Sequence, residues 1–272
     1  MQLINWYPGH IAKAQKHLKD NIKLVDLVIE MVDSRLPLSS HFNIIDEYLN
    51  NNKDKIIVVN KSDLANRDKL EQSLEYWKQK DIEAIPISTL NPKDIMKLKI
   101  ALRKYHEKIN QRLARRGVLP RDLRIMIVGL PNIGKSTLIN RLVDKRKVKS
   151  ANKPGVTRSV QWVRIGDNLE LLDTPGIILP KFENQDLAVK LVMLGSISVE
   201  AYEPLETARE IIEILRKTSP EFFEIHGNDF SIEYYAQKRN FLVLGGGFDI
   251  ERASKTFIKE LRDGKLGQFS FE

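Results

Sequence analysis

The sequence contains no cysteine, which excludes a disulfide framework, thiolate-bound zinc and a thiol nucleophile. Its five histidines are scattered, with no close-spaced pair, so a histidine-built metal centre is excluded as well. No apolar run approaches the roughly 20 residues needed to cross a bilayer. The start, MQLINWYPGH, lacks a basic stretch followed by a long apolar one. These absences predict an uncleaved cytoplasmic protein with no membrane partner. What is present is ordinary for a folded chain: 272 residues, 42% apolar and 29% charged, enough for one large domain or two smaller ones with a real core.

The formal net charge of +8 is unevenly spread. Residues 97–124 carry ten basic groups against two acidic ones, and the rest of the chain balances. A second excess lies at 141–158, with seven basic groups against Asp144. Such clusters suit a polyanion, because neutralising phosphates releases condensed counterions without any reading of sequence. A solvated helix face is the competing explanation for a lone cluster. Two clusters flanking a nucleotide loop favour RNA.

Apolar runs of strand length fall at 26–32, 56–59, 84–87, 125–128, 160–165 and 169–172, and helical periodicity fills the gaps at 11–23, 42–51, 68–80, 92–113 and 135–143. Strands alternating with helices predict a mainly parallel α/β sheet. Beyond residue 180 the strand signal fades, and helical patterns run from 184 to 265, with three consecutive glycines ahead of a helix capped at Asp249. The expected organisation is an α/β domain over 1–178 and a smaller all-helical domain over 179–272. The latter holds 12 basic and 16 acidic groups, a balance that does not suggest a phosphate grip.

Residues 129–136 read GLPNIGKS between a predicted strand and a predicted helix, the context in which a phosphate loop is credible. Glycines let backbone N–H groups turn onto a phosphate and the helix N-terminus adds positive potential. Lys135 then reaches the β and γ oxygens, and the Ser136 hydroxyl can ligate Mg²⁺. Nucleotide contacts are expected from Asn132, Ile133, Gly134, Lys135, Ser136 and Thr137. Downstream, Asp173 follows a strand and can hold Mg²⁺ through water, while the Gly176 amide can meet a γ-phosphate; between them Thr157 could close the magnesium shell only when a third phosphate is present. Base choice comes from residues 60–63, NKSD. The Asp63 carboxylate can accept the N1–H and 2-amino hydrogens of guanine, and adenine offers neither. Asn60 would brace that loop and Lys61 would lie along the ring, with Ser88 and Thr89 supplying a backbone amide to guanine O6. The Gln that commonly orients the attacking water is replaced by Ile177, which predicts slow intrinsic turnover.

The guanine-reading motif precedes the phosphate loop, the reverse of the usual order. In that order, and with residues 6–14 (WYPGHIAKA), 33–37 (DSRLP), 154–157 (PGVT) and 173–176 (DTPG), the chain resembles the circularly permuted GTPases of the YlqF/RbgA ribosome-assembly family over nearly its full length. One departure is Ser34-Arg35-Leu36 where members usually show Ala-Arg-Ile. The resemblance implies a P-loop GTPase fold, circularly permuted, with 97–124 as the splice. It also implies a factor that hydrolyses GTP to GDP late in assembly of the large ribosomal subunit, and the chain is expected to be monomeric. Such a factor binds the subunit precursor through rRNA and ribosomal protein and is stimulated by that particle. The resemblance nominates His10 to orient the catalytic water, the other reading being a histidine that packs beside Trp6, Tyr7 and Pro8. Asn132 resembles the Asn that helps hold K⁺ in potassium-stimulated GTPases, the alternative being a loop-shaping role. Two rival functions remain at this point: a nucleotide-gated RNA scaffold with negligible hydrolysis, and a GTPase of another RNA pathway such as tRNA modification.

Overall fold

A computed structural model of the chain describes residues 9–49, 53–143, 162–166, 168–172 and 184–272. Six strands form one sheet: β1 (Leu27–Asp33), β2 (Asp54–Asn60), β3 (Glu83–Ile87), β4 (Leu123–Gly129), β5 (Trp162–Ile165) and β6 (Leu169–Leu172). Their order is β3-β2-β1-β4-β6-β5. Four pairings are parallel and only β5–β6 is antiparallel, giving the mainly parallel sheet that the alternating pattern predicts. Parallel neighbours need crossover connections. Two of these carry α2 (Asn43–Leu49) and α3 (Arg67–Gln79), and α4 (Pro92–Ala114) crosses from β3 to β4 on the far side of β1, with α1 (Gly9–Ile22) before β1 and α5 (Lys135–Leu142) after β4. Asn66 and Asn91 cap α3 and α4 by accepting backbone N–H groups of the first turn, and Pro92 follows its cap at the position where its missing N–H costs nothing.

Every residue of β1 is buried, as expected of a parallel strand covered on both faces. Val32, Ile57 and Val59 pack with Ala65 and with Leu70 and Trp77 of α3; the alternate residues Ile29, Met31, Ile56 and Val58 join the main core. The remaining helices are α6 (Gln185–Leu194), α7 (Pro204–Thr218), α8 (Glu221–His226), α9 (Ile232–Lys238) and α10 (Ile250–Arg262). Asp249 caps α10 by accepting from the Arg252 amide. In α6, Ala188, Val189 and all of 191–194 are buried, the signature of a helix enclosed on most sides. A single apolar cluster includes residues of the sheet, α6, α7 and α10, so the two expected parts share one core rather than closing separate ones. The expected boundary at 178/179 lies outside the described residues. Among the described residues, no helix is long and apolar enough to cross a membrane.

The register sets Asp33, Asn60 and Ile87 side by side at the carboxyl edge of the sheet, and Met31 beside Gly129. Both nucleotide motifs therefore leave the sheet at the same edge, where ligands of open α/β folds bind.

Candidate functional site

Asn60 is the last residue of β2 and is 1% exposed. Its side-chain amide donates to the Ile133 carbonyl at 2.6 Å, and its side-chain oxygen accepts from the Thr89 amide at 3.1 Å. One side chain thus joins the guanine motif, the phosphate loop and the segment after β3. Gly134 sits against it with φ of 102°, and a Cβ there would collide with the Asn60 amide nitrogen. Only glycine adopts that backbone and leaves that space at no cost. A cavity of about 430 Å³ opens between the motifs. It is lined by residues of the 60–64 loop, of the segment after β3, of the 132–137 segment, and by Leu194, Gly195, Arg262 and Asp263 of the helical part.

The Asp63 carboxylate is exposed and makes no hydrogen bond among the described residues. Lys61 has φ of 62°, and its ammonium is drawn away from the loop to Asp33 Oδ2 at 2.9 Å. Asp33, the fully buried last residue of β1, also accepts two bonds from the Arg35 guanidinium at 2.9 and 3.0 Å. Burial alone would raise the Asp33 pKa, but the two cations outweigh it and hold the carboxyl well below the usual carboxylate range. The amides of Ser88 and Thr89, expected to face a purine carbonyl, already donate to Asp94 and Asn60.

In the phosphate loop, the Lys135 ammonium donates to the carbonyls of Gly129, at 3.1 Å, and Leu130. Burial pushes its pKa down to about 8. Ser136 is exposed on the first turn of α5, and Ile133 is buried. Asn132, at φ of 59°, donates from Nδ2 to the Gly195 carbonyl at 2.8 Å, and Ser196 Oγ donates to the Pro131 carbonyl, also at 2.8 Å. The turn after α6 therefore grips the phosphate loop directly. The His10 side chain, Thr157, Asp173 and Gly176 lie outside the described residues, as does most of the basic stretch 141–158.

Half of the other basic stretch is spoken for. Lys97 pairs with Asp94, Lys108 and Arg112 with Asp54, Arg121 with Asp26 and Arg124 with Glu170. Lys99, Arg103, Lys104, Arg115 and Arg116 form no ion pair among the described residues, and all but Lys99 are exposed. A larger cavity of about 1130 Å³ near the amino ends of β2 and β3 is lined by six carboxylates and four lysines, the wrong balance for a polyphosphate.

Sequence reasoning assigned no role to Asp33 or Arg35. The signal was available: a carboxylate ending a mostly apolar strand, interrupted at Glu30, with an arginine two residues on. Gly195, Ser196 and Arg262 carried no comparable signal, because long-range packing alone brings them to the cavity.

Residues 124–226 match the family model described as a 50S ribosome-binding GTPase. The chain is 37% identical to Ribosome biogenesis GTPase A of Bacillus cereus, covering 99% of this chain and 94% of the relative. Two solved structures of YlqF from T. maritima resemble it over nearly the whole fold. The GNP-bound form gives a TM-score of 0.67 at 30% identity over 96% of this chain and 97% of the other. The GDP-bound form gives 0.68 at 31% over 94% and 98%. On the strength of this full-length match, the chain belongs to the ribosome biogenesis GTPase A family.

Proposed function

We propose that this chain binds GTP with Mg²⁺ in the cavity between its two motifs, hydrolyses it to GDP and phosphate, and acts on the large ribosomal subunit precursor. The observation that carries this reading is the bridging Asn60, which makes the guanine motif and the phosphate loop two walls of one cavity. In this reading Asp63 accepts from guanine N1–H and the 2-amino group, and the Lys61 stem lies along the ring while its ammonium is anchored on Asp33. Backbone amides of residues 132–137 hold the phosphates, joined by the Lys135 ammonium. Ser136, Thr157 and Asp173 present only oxygen donors, the set that a hard cation such as Mg²⁺ takes; the ion would neutralise developing phosphate charge. Gly176 meets the γ-phosphate. The bond from Asn132 Nδ2 to Gly195 leaves Oδ1 without a hydrogen bond among the described residues, an oxygen that suits K⁺. The motif order makes the fold a circularly permuted one, with the γ-phosphate-sensing residues feeding straight into the helical part.

With Ile177 where a glutamine would stand, the attacking water needs another partner, and His10 takes that role: an imidazole accepts from or donates to water near neutral pH. GTP then orders the loops carrying Thr157 and Gly176, the ordered form docks on pre-ribosomal RNA and protein, docking brings His10 to the water, and hydrolysis releases the factor. The test is the GTPase rate with and without immature large subunits. The reading predicts strong stimulation, with His10→Ala removing it at nearly unchanged nucleotide affinity. No stimulation by the particle would remove the assembly role, and a parallel fall in affinity would make His10 structural.

A further inference from the structure

The chain after α10 returns to the guanine-reading loop and is bonded along it. Phe269 N–H donates to the Leu64 carbonyl at 3.2 Å, the Gln268 side chain donates to the Asp63 carbonyl at 2.9 Å, and the Asn66 amide donates to Ser270 Oγ at 3.2 Å. Phe271 N–H donates to the Arg35 carbonyl at 2.7 Å, and Arg35 in turn donates from Nη1 to the Arg262 carbonyl at 2.9 Å. The Glu272 carboxylate ends the run by accepting from the Leu38 amide, from the Ser39 amide at 3.0 Å and from the Ser39 hydroxyl. Phe269 and Phe271 are buried, at 2% and 1% exposure, and anchor the segment between these bonds. At Gly264, which begins the return, φ is 73° and a Cβ would meet the Leu64 side chain at 2.5 Å, so the start of the tail packs against a side chain of the loop.

The side chain expected to read the base gets no such support of its own. The Asp63 carboxylate is exposed and unbonded among the described residues, so its direction is set by the backbone beneath it. That backbone begins at Lys61, a non-glycine residue in the left-handed region, a conformation that persists only where surrounding contacts enforce it. The enforcing contacts come from three places, one of them β3, where the Ile87 carbonyl accepts from the Ser62 amide at 3.1 Å. Ser34 Oγ donates to the Lys61 carbonyl at 2.6 Å and Asp33 holds the Lys61 ammonium, while the tail holds the carbonyls of Asp63 and Leu64.

We propose that residues 268–272 form a positioning strap that aims Asp63 at the purine, so that discrimination of guanine from bases lacking the 2-amino group depends on the C-terminal tail. This rests on the reading of Asp63 as the guanine acceptor. Gln268 is its positioning residue, acting through the Asp63 carbonyl, and Glu272 fixes the end of the strap on Leu38 and Ser39; neither acts on the nucleotide. Coupling of this kind is reciprocal: guanine nucleotide in the cavity slows hydrogen exchange at the Phe269 and Phe271 amides.

The test uses the full chain and compares dissociation constants for GDP and IDP, which differ only by the 2-amino group, in the unaltered protein and in the double variant Gln268→Ala, Glu272→Ala. Both phenylalanine anchors are kept in that variant. Should it fail to fold, Gln268→Ala alone serves, because that side chain is exposed. The strap predicts that the ratio of IDP to GDP constants falls by about fivefold, the size of one or two lost hydrogen bonds, while the thermal midpoint barely moves. General loosening of the fold would weaken both nucleotides and leave the ratio alone. An unaltered protein that prefers GDP, paired with a variant showing the same ratio, overturns the strap alone. An unaltered protein with no preference for GDP overturns the Asp63 reading beneath it.

Discussion

His41 sits between two carboxylates, with Nδ1 2.9 Å from Glu30 Oε1 and Nε2 3.2 Å from Asp46 Oδ2, and Lys55 completes the cluster against both acids. Burial alone would lower its pKa, but the bonds to Asp46 and Glu30 outweigh that and raise it above the ordinary 6.5. A histidine raised in the folded state contributes stability that is fully present below about 6.5 and is lost as pH climbs through the folded value. The cost of His41→Gln, read from urea unfolding midpoints, is therefore expected to be larger at pH 6 than at pH 8.5; an equal cost at both would mean that the ring carries no charge. Neither this cluster nor the Asp33–Arg35–Lys61 group was legible in the sequence as a unit. Glu30 reads as an interruption of an apolar strand, and its partners arrive from two other elements. Residues whose chemistry is local, such as Lys135 and Ser136 after a glycine-rich turn, are nominated by spacing alone. Asp63 could be named, but not the tail beneath its loop.

Element types and most boundaries followed from periodicity, and the misses have physical causes. Expected strand 56–59 extends to Asp54–Asn60 because Asp54 and Lys55 are polar yet paired, Asp54 with Lys108 and Arg112, Lys55 with Asp46. The same pairing divides α4. A run of ten basic groups looked like one polyanion surface, yet half of them neutralise acids of the sheet edge and of the neighbouring helix turn. The structure thus separates two kinds of charge on one stretch. Replacing Arg103, Lys104, Arg115 and Arg116 with Ala is expected to weaken binding to ribosomal particles and to flatten its dependence on salt by about one unit of slope for each phosphate no longer neutralised. Replacing Lys108 and Arg112 is expected to lower the unfolding free energy instead, by about 1 kcal/mol or less for these partly exposed pairs. Co-sedimentation across a salt series separates the outcomes, and an equal loss of binding in both variants would contradict the division.

At the scale of the whole molecule, the continuity of the apolar core matters most. The fading strand signal and helical patterns beyond residue 180 gave the expectation of a second, helical domain; in the structure α6 is largely buried, the turn after it bonds to residues 131 and 132, and the C-terminal tail bonds to residues 63, 64 and 66. Calorimetry is expected to show a single cooperative transition for the full chain, and two separated transitions would restore independent domains. A nucleotide-driven change at the phosphate loop would then be felt by α6 through Gly195 and Ser196 without a hinge between separate bodies. All of this depends on one ligand spanning the two motifs, and the affinity of Asp63→Asn for guanine and xanthine nucleotides tests that most directly. Replacing the acceptor carboxylate with an amide removes the charge-assisted pair to N1–H and the 2-amino group and suits the C2 carbonyl of xanthine. The account predicts that the GDP dissociation constant rises by about a hundredfold, in line with two charge-assisted bonds of about 1.5 kcal/mol each, while that for XDP falls. Unchanged affinity for both nucleotides would place the base somewhere other than beside Asp63 and contradict the site.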